Sequence, residues 1–397
     1  MIKRSFQLLL AAISALPLVA CGTLSRMQLD ADSRESERFA QSGNLRAEVD
    51  SLFQPLIDQG ETPGVVVGVL LGDGSRHVFS YGVADKSTGK QPNSKTLFAV
   101  GSLSKLFLGE ITAQLVLERR MMWNDTLETL LPQEIALSDD AKKITLLQLA
   151  THTSGLPRQP MTPRTLGYFF GYLFTGNSFY RHFDKKYILN YLSNFDAPSK
   201  VGRQYSNIGY GLLTYIIERR TGTRVDDLLH ERVTAPLSLS DTAYTPEGLP
   251  DYSNMARGYA GDQPKFIRRG RPVPDWRFTD AMRGAAAMYS NADDLLTFAG
   301  VHLNGTDNPA LDAAIKESLS LRPTSGTETA AVAWTVEEGA GTKIAYQVGL
   351  VGGYTSYIGM DLEHRIAVVV LQNSFNWTMI GHRLLLRVAN AQRVVPS

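Results

Sequence analysis

The 397-residue chain is short of several things, and each shortage excludes a class of protein. It has one cysteine, Cys21, so no disulfide can form within it. Its seven histidines are scattered singly and no Cys/His spacing suits zinc, so neither a metal nor a cofactor is expected. Lys and Arg number 40 against 39 Asp and Glu, a net charge of +1, which leaves no basic footprint for nucleic acid. Internal repeats and low-complexity tracts are absent, and so is the G-x-S-x-G elbow that an α/β-hydrolase needs. What remains is an ordinary globular composition, 43% hydrophobic and 20% charged, on a chain long enough for a sizeable core.

The lone cysteine sits where it carries information. Lys3 and Arg4 precede the apolar stretch Leu8 to Ile13 and then Leu16-Pro17-Leu18-Val19-Ala20, the layout of a secretory signal too short to span a bilayer. Its end, Leu18-Val19-Ala20-Cys21 followed by Gly22, resembles the lipobox of bacterial lipoproteins. The competing reading is a plain signal peptide with an incidental cysteine. The resemblance implies that residues 1–21 are a signal peptide and that Cys21 is lipidated. The protein is then anchored in the bacterial cell envelope facing the periplasm. Gly22 in place of aspartate points to the outer membrane if the host is Gram-negative. Residues 22–44 are polar and charged and read as a spacer lifting the rest off the membrane.

From Leu45 the pattern becomes that of a folded domain. Leu45, Val49, Leu52, Phe53 and Leu56 recur at helical spacing to about Gly60, with Pro55 arguing for a kink. Val65 to Leu71 and Arg76 to Val83 read as strands joined by the turn Gly72-Asp73-Gly74-Ser75. Near the other end, Ala330 to Val336, Lys343 to Val348, Tyr354 to Asp361 and Arg365 to Leu371 read as strands, and a closing helix starts near Thr378. Two strands from one chain end and four from the other predict an α/β fold of α+β type. One antiparallel sheet is flanked by the terminal helices. Residues 45–101 and 295–397 supply the sheet region, 102–294 form a large mostly helical insertion, and 45–397 together make one catalytic domain.

A serine hydroxyl needs a base within hydrogen-bond reach to act as a nucleophile. Ser-x-x-Lys at a helix start supplies one, because residues i and i+3 share a helix face. Two segments have that spelling. Ser87-Thr88-Gly89-Lys90 lies in a polar stretch without an apolar stripe and reads as an exposed turn. Ser102-Leu103-Ser104-Lys105 opens a helix with Leu106, Phe107, Ile111 and Leu115 on its apolar side, where burial lowers the pKa of the lysine. Three Tyr-Ser-Asn copies compete for the companion role of a phenol for proton relay and an amide for the substrate. Tyr252-Ser253-Asn254 lies in a loop crowded with Pro and Asp, and Tyr289-Ser290-Asn291 most simply caps a helix. Tyr205-Ser206-Asn207 precedes a helix ending at Gly222 and is favoured.

Phe98 to Lys105, the segment Ile144 to Pro157 and Tyr205 to Asn207 resemble the class C β-lactamase family, which includes DD-peptidases and esterases; Gly284 to Leu295 and Gly349 to Leu371 match as well. The similarity covers about residues 45–388, in the family's order, and implies the β-lactamase/transpeptidase-like fold. It implies Ser102 as the acyl-accepting nucleophile, Lys105 and Tyr205 as a shared proton relay and Asn207 as a contact for the substrate amide. His152, by the same resemblance, is structural. The departure lies on the strand edging the cleft, where Lys-Thr-Gly is replaced by Gln347-Val348-Gly349. Gly349 keeps the close approach of substrate to backbone, and the N–H groups of Leu350 and Ser102 are left to form an oxyanion hole. Gln347 supplies no cation for a substrate carboxylate, and charge-assisted hydrogen bonds are about twice as strong as neutral ones. A small-molecule or peptide substrate with an ester or amide therefore fits better than a penicillin or a peptide ending in D-Ala, unless an arginine such as Arg283 compensates. The rivals are a DD-peptidase, a β-lactamase, a non-catalytic penicillin-binding sensor and a scaffold lipoprotein. Leu166 to Phe183 is dense in aromatics; it either packs inside the helical region, the simpler reading, or walls an acyl pocket or touches the membrane.

Overall fold

A computed structural model describes residues 33–199, 202–323, 329–339 and 342–394. Cys21 and the rest of the N-terminal stretch lie outside them. The β-branched run after Gly64 forms strand β1 (Gly64–Leu70), buried along its whole length, and the next run forms β2 (Arg76–Gly82). In the turn between them the Asp73 carboxylate accepts the Ser75 N–H at 2.9 Å, and Gly74 adopts φ +85°, which a Cβ would disfavour. The chain then leaves this sheet. Strands β3 (Phe98–Gly101) and β4 (Met288–Ser290) pair with each other, as do β5 (Arg322–Pro323) and β6 (Thr329–Ala330). It returns as β7 (Thr335–Gly339), β8 (Thr342–Val351), β9 (Tyr354–Asp361) and β10 (Ile366–Gln372). The main sheet has the order β2-β1-β10-β9-β8-β7 with every pairing antiparallel, and β1 meets β10 with Val65 opposite Gln372 and Leu70 opposite Ala367. Both ends of the chain thus build one sheet.

The helices include α1 (Ser33–Ser42), α2 (Leu45–Asp58), α3 (Ser104–Leu117), α4 (Pro163–Thr175), α5 (Asn207–Thr221), α6 (Arg283–Ala286), α7 (Ala292–Asn304), α8 (Pro309–Leu319) and α9 (Ile380–Val394). Alternation along the strands gives the sheet two apolar faces, and each needs a cover. Val65, Val67, Val368, Val370 and Tyr346 meet Val49 and Phe53 of α2 and Leu384, Leu385 and Val388 of α9. Val66, Val369, Leu371 and Ile358 meet Leu295, Leu296 and Phe298 of α7, in a core continuous with α3, α5 and the helical region. A buried ion pair on the first face, Arg387 with Glu48 at 2.5 Å, ties α9 to α2.

Two expectations need correction. Residues 22–44 are not a spacer throughout: Ser33–Ser42 is a helix that packs on α9 and buries Phe39. Its sequence is polar, so the partner that stabilises it is distant in the chain and invisible to local pattern. The strand expected over Ala330 to Val336 is split, because Ala330 of β6 pairs with Arg322 of β5 while the main sheet resumes only at Thr335.

Candidate active site

Strand β3 lies against the main sheet rather than in it. The Ser356 hydroxyl of β9 donates to the Val100 carbonyl at 2.8 Å. At its end Gly101 takes φ +53°, and a Cβ there would stand 3.1 Å from the Leu350 nitrogen, so a glycine is needed to turn the chain this close to β8. The Ser104 hydroxyl donates to the Gly101 carbonyl at 2.6 Å and accepts the Met288 N–H at 3.0 Å. These bonds fix an elbow, and Ser102 sits on it, 6% exposed. The α-helix itself begins at Ser104, two residues later than the Ser-x-x-Lys spelling suggests. The Lys105 N–H still bonds the Ser102 carbonyl at 3.1 Å, so the i,i+3 geometry holds.

Lys105 is fully buried, and three oxygens surround its Nζ: Ala285 carbonyl at 2.6 Å, Asn207 Oδ1 at 2.8 Å and Ser102 Oγ at 3.2 Å. Burial, helped by the nearby Arg158 charge, holds the amine well below the ordinary lysine range. A neutral amine has two N–H groups and one lone pair. The two carbonyl-type oxygens can only accept, so they take both N–H groups. The lone pair is then left to Ser102 Oγ, whose hydroxyl can donate to it. That is the geometry of a base poised on a nucleophile.

Tyr205 precedes α5, whose N-cap is Ser206, and its ring lies 4.8 Å from Lys105 Nζ. Its hydroxyl is buried without a full hydrogen bond, yet Ser102 is near enough to favour the phenolate. Burial outweighs this and the Arg158 charge, raising the phenol to about 12, so near neutrality it holds its proton. Asn207 spends its Oδ1 on Lys105 and donates through Nδ2 to the Tyr180 hydroxyl at 2.6 Å, leaving one N–H for a substrate. His152 accepts the Ser206 N–H on Nδ1 at 3.1 Å, and its ring packs 4.4 Å from that of Tyr205. Burial first, then the charges of Arg203, Lys105 and Arg158, keep its imidazole well below the ordinary histidine range, so it is a neutral support for the Tyr205 loop.

The other wall is β8. Gly349 lies so close to β3 that a Cβ would fall 2.0 Å from the Val100 oxygen and 2.2 Å from Ser356 Oγ. Leu350 follows it, its backbone beside Gly101. Gln347 is 5% exposed, and its amide is engaged with backbone: Nε2 donates to the Ala333 carbonyl at 2.7 Å and Oε1 accepts the Val348 N–H at 3.0 Å. It offers no charge to a substrate, and its amide keeps only one N–H beyond these bonds. Arg283 is no substitute, since it pairs with Asp226 and Asp280.

The structure therefore gathers Ser102, Lys105, Tyr205 and Asn207 in one cluster, sets Gly349 and Leu350 against it, and turns Gln347 into backbone. The other spellings fall elsewhere. Ser87 bonds Asp85 in an exposed turn, Asn254 reaches the Lys95 carbonyl, and Asn291 caps α7. Three participants escaped the sequence reading. Tyr180 orients Asn207, the Ala285 carbonyl orients Lys105, and Arg158 lies with its guanidinium carbon 5.1 Å from the Tyr205 ring centre. Only Arg158 left a trace, as a charged residue directly after Leu156-Pro157. The aromatic stretch divides. Tyr172, Phe179, Tyr180 and Phe183 are buried around Trp276, whereas Phe170 and Phe174 are exposed and Phe174 stacks on exposed Phe266.

Comparison with known proteins agrees with this geometry. The sequence profile of the Beta-lactamase family matches residues 49–393. The chain is 29% identical over 278 residues to a beta-lactamase of Yersinia enterocolitica, covering 68% of this chain and 63% of that one. It is 27% identical to the unguisins hydrolase ungD' of Aspergillus campestris, over 80% of this chain and 60% of that protein. It is 29% identical to the D-alanyl-D-alanine-carboxypeptidase/endopeptidase AmpH of Escherichia coli, over 58% and 56%. The chain thus spans about three-fifths of the length of the curated relatives it matches. Among solved structures, a class C beta-lactamase superposes with a TM-score of 0.72 at 19% identity over 87% of this chain and 95% of that one. A D-alanine carboxypeptidase AmpC from Burkholderia cenocepacia gives 0.71 at 22%, over 88% and 99%. At such identity these neighbours establish the fold, the α+β architecture of class C enzymes. With the profile running through α2, the Ser102 elbow and α9, the chain belongs to the beta-lactamase family.

Proposed function

We propose that this chain hydrolyses an ester or amide through an acyl-enzyme on Ser102. The observation that carries the reading is a buried amine, Lys105 Nζ, held 3.2 Å from Ser102 Oγ and depressed below the ordinary lysine range. As Ser102 Oγ attacks the carbonyl carbon its proton passes to Lys105, and the carbonyl oxygen gains the negative charge between the N–H groups of Ser102 and Leu350. Tyr205 gives its proton to the leaving oxygen or nitrogen as that bond breaks, and Lys105 restores it. Water, deprotonated by the same pair, then releases the acid and returns the proton to Ser102.

The β8 wall argues against efficient turnover of penicillins or D-Ala peptides, whose carboxylate would meet the neutral, already bonded Gln347. The relatives named as beta-lactamases and as a carboxypeptidase/endopeptidase favour the second reading, hydrolysis of β-lactams or peptidoglycan peptides. One assay separates the two: a p-nitrophenyl ester, nitrocefin and a D-Ala-D-Ala peptide side by side, with Ser102→Ala and Gln347→Lys variants. Ester turnover lost in Ser102→Ala, with β-lactam or peptide turnover gained about tenfold in Gln347→Lys, supports the first reading, one charge-assisted bond being the difference. Brisk wild-type cleavage of the carboxylate-bearing substrates overturns it. No turnover and no covalent labelling of Ser102 leaves a scaffold. The Leu18–Cys21 spelling supports a lipid anchor in the envelope; palmitate incorporation that persists in Cys21→Ser would sink that part.

A further inference from the structure

The groups around Ser102 are almost all uncharged. Lys105 is held well below the ordinary lysine range, Tyr205 and Tyr180 are phenols, His152 is imidazole, and Asn207 and Gln347 are amides. Two guanidinium cations, Arg158 and Arg203, stand near them. The Arg158 carbonyl accepts the N–H groups of Asn207 at 3.1 Å and Ile208 at 3.4 Å, which pins the residue beside the start of α5. Its guanidinium, half-buried, lies over the face of Tyr205 at 5.1 Å. Among the described residues this guanidinium has no ion-pair or hydrogen-bond partner, while Arg203 donates to Thr335 Oγ1 at 2.8 Å and Arg283 is held by two aspartates. A half-withdrawn charge is ordinarily matched by an acid or fully solvated. Stacking on an aromatic face compensates only part of its lost hydration and leaves the five-donor fork free.

We infer that Arg158 is the anion-reading residue of this site. The substrate is an ester or amide that also carries a carboxylate, bound on the Tyr205–Asn207 wall and not on β8. The inference rests on the acyl-serine reading above and deepens it. Loss of the Lys-Thr-Gly cation at Gln347 then marks a carboxylate read from the opposite side of the nucleophile, which excludes the placement a penicillin would use. The fork of Arg158 suits bidentate recognition of a carboxylate, and its charge also holds down the pKa values of Lys105 and Tyr205. A test must separate binding from tuning.

The ratio of two kcat/KM values does so, because a change in the proton relay affects both substrates alike. We would compare p-nitrophenyl hydrogen glutarate with p-nitrophenyl pentanoate, matched in length, and 4-acetoxybenzoate with its methyl ester, which moves the carboxylate to the leaving group. In Arg158→Gln the anionic-to-neutral ratio of at least one pair is expected to fall tenfold or more, chiefly through KM, and in Arg158→Lys by less. Ratios within twofold of wild type for both pairs overturn the inference. Calorimetric binding of the intact hydrogen glutarate ester to Ser102→Ala, with and without Arg158→Gln, reads the same site with no turnover. Affinity that drops tenfold supports the anion site even if the wild type proves inactive, and affinity that is unchanged or absent overturns it. Failure of the acyl-serine reading shows separately, as inertness of wild-type Ser102 to both neutral esters and to a fluorophosphonate probe.

Discussion

The two walls that meet at Ser102 are built from different materials. On one side stand side chains of defined chemistry. Lys105 is held by Asn207 and Ala285, Asn207 by Tyr180, and the Tyr205 loop by His152. On the other side the wall is backbone: Gly349 packed on Val100 and Leu350 beside Gly101, with the Gln347 side chain folded back onto Ala333. Proton transfer depends on which atoms are present, so the first wall tolerates little change. An oxyanion hole depends on where N–H groups lie, so the second can lose its side-chain identities at 347 and 348 while Gly349 must stay.

The largest effect should come from the first wall. Lys105→Met keeps volume and removes the base, and kcat/KM should fall about 10³- to 10⁴-fold with the fold intact by circular dichroism. The wild-type pH profile sharpens the point. Lys105 works as the free amine and its pKa is depressed, so activity should be established well below the ordinary lysine range and be lost only as pH falls through that lowered value. On the alkaline side it should hold until the Tyr205 phenol, raised to about 12, begins to ionise. A rate still climbing between about pH 9 and 11, as an ordinary lysine near 10.4 would give, contradicts this assignment. On the second wall, Gly349→Ala adds a Cβ 2.0 Å from the Val100 oxygen and must push β8 off the elbow. About 10²-fold should be lost in kcat, as for one lost oxyanion donor, even though no catalytic side chain has changed. Equal activity in that variant would break the distinction between the walls.

A smaller effect tests whether burial alone makes a group functional. Glu110 lies on the same helix as Lys105 and is as deeply buried, but its carboxyl makes no full hydrogen bond, with Ser318 near enough only to favour the carboxylate, and it faces His302 Nε2 at 3.8 Å. Burial raises Glu110 to about 8 and lowers His302 to about 4, so near neutrality both are uncharged. In the unfolded chain Glu110 loses its proton far earlier. Its contribution to stability is therefore full below the ordinary carboxylate range and lost as pH climbs through about 8. His302 acts the other way, its contribution disappearing as pH falls through about 4. Glu110→Gln removes the first dependence. Relative to wild type it should gain more than about 1.4 kcal/mol between pH 5 and pH 9, the worth of one pKa unit. A constant difference in denaturation midpoint across that range would show that Glu110 ionises in the fold no later than in the unfolded chain. Activity should follow stability and nothing else, because none of the hydrogen bonds that join Ser102, Lys105, Asn207 and Tyr180 reaches this acid.

Much of this was legible along the chain. The β-branched runs at Val65–Val69 and Val368–Val370 announce strands buried on both faces, and the Gly72–Ser75 turn announces the hairpin. Ser102 and Lys105 are three residues apart at a helix start, so helical geometry alone brings them together. Tyr205 stood out from its two copies by the helix that follows it. The helix Ser33–Ser42 was not legible, since its stability comes from α9 at the far end of the chain. Nor was the fate of Gln347, which turns on the Ala333 carbonyl, or the position of Arg158 over Tyr205.

By itself, then, the sequence determined whatever depends on near neighbours: the strands, the turns, the Ser-x-x-Lys pair and the loss of a cation at Gln347. Only the tertiary structure decided which groups are neutral, which are engaged and which stand unpartnered. The reason is that desolvation and hydrogen bonding are set by atoms from remote segments, as Ala285 and Asn207 show around Lys105.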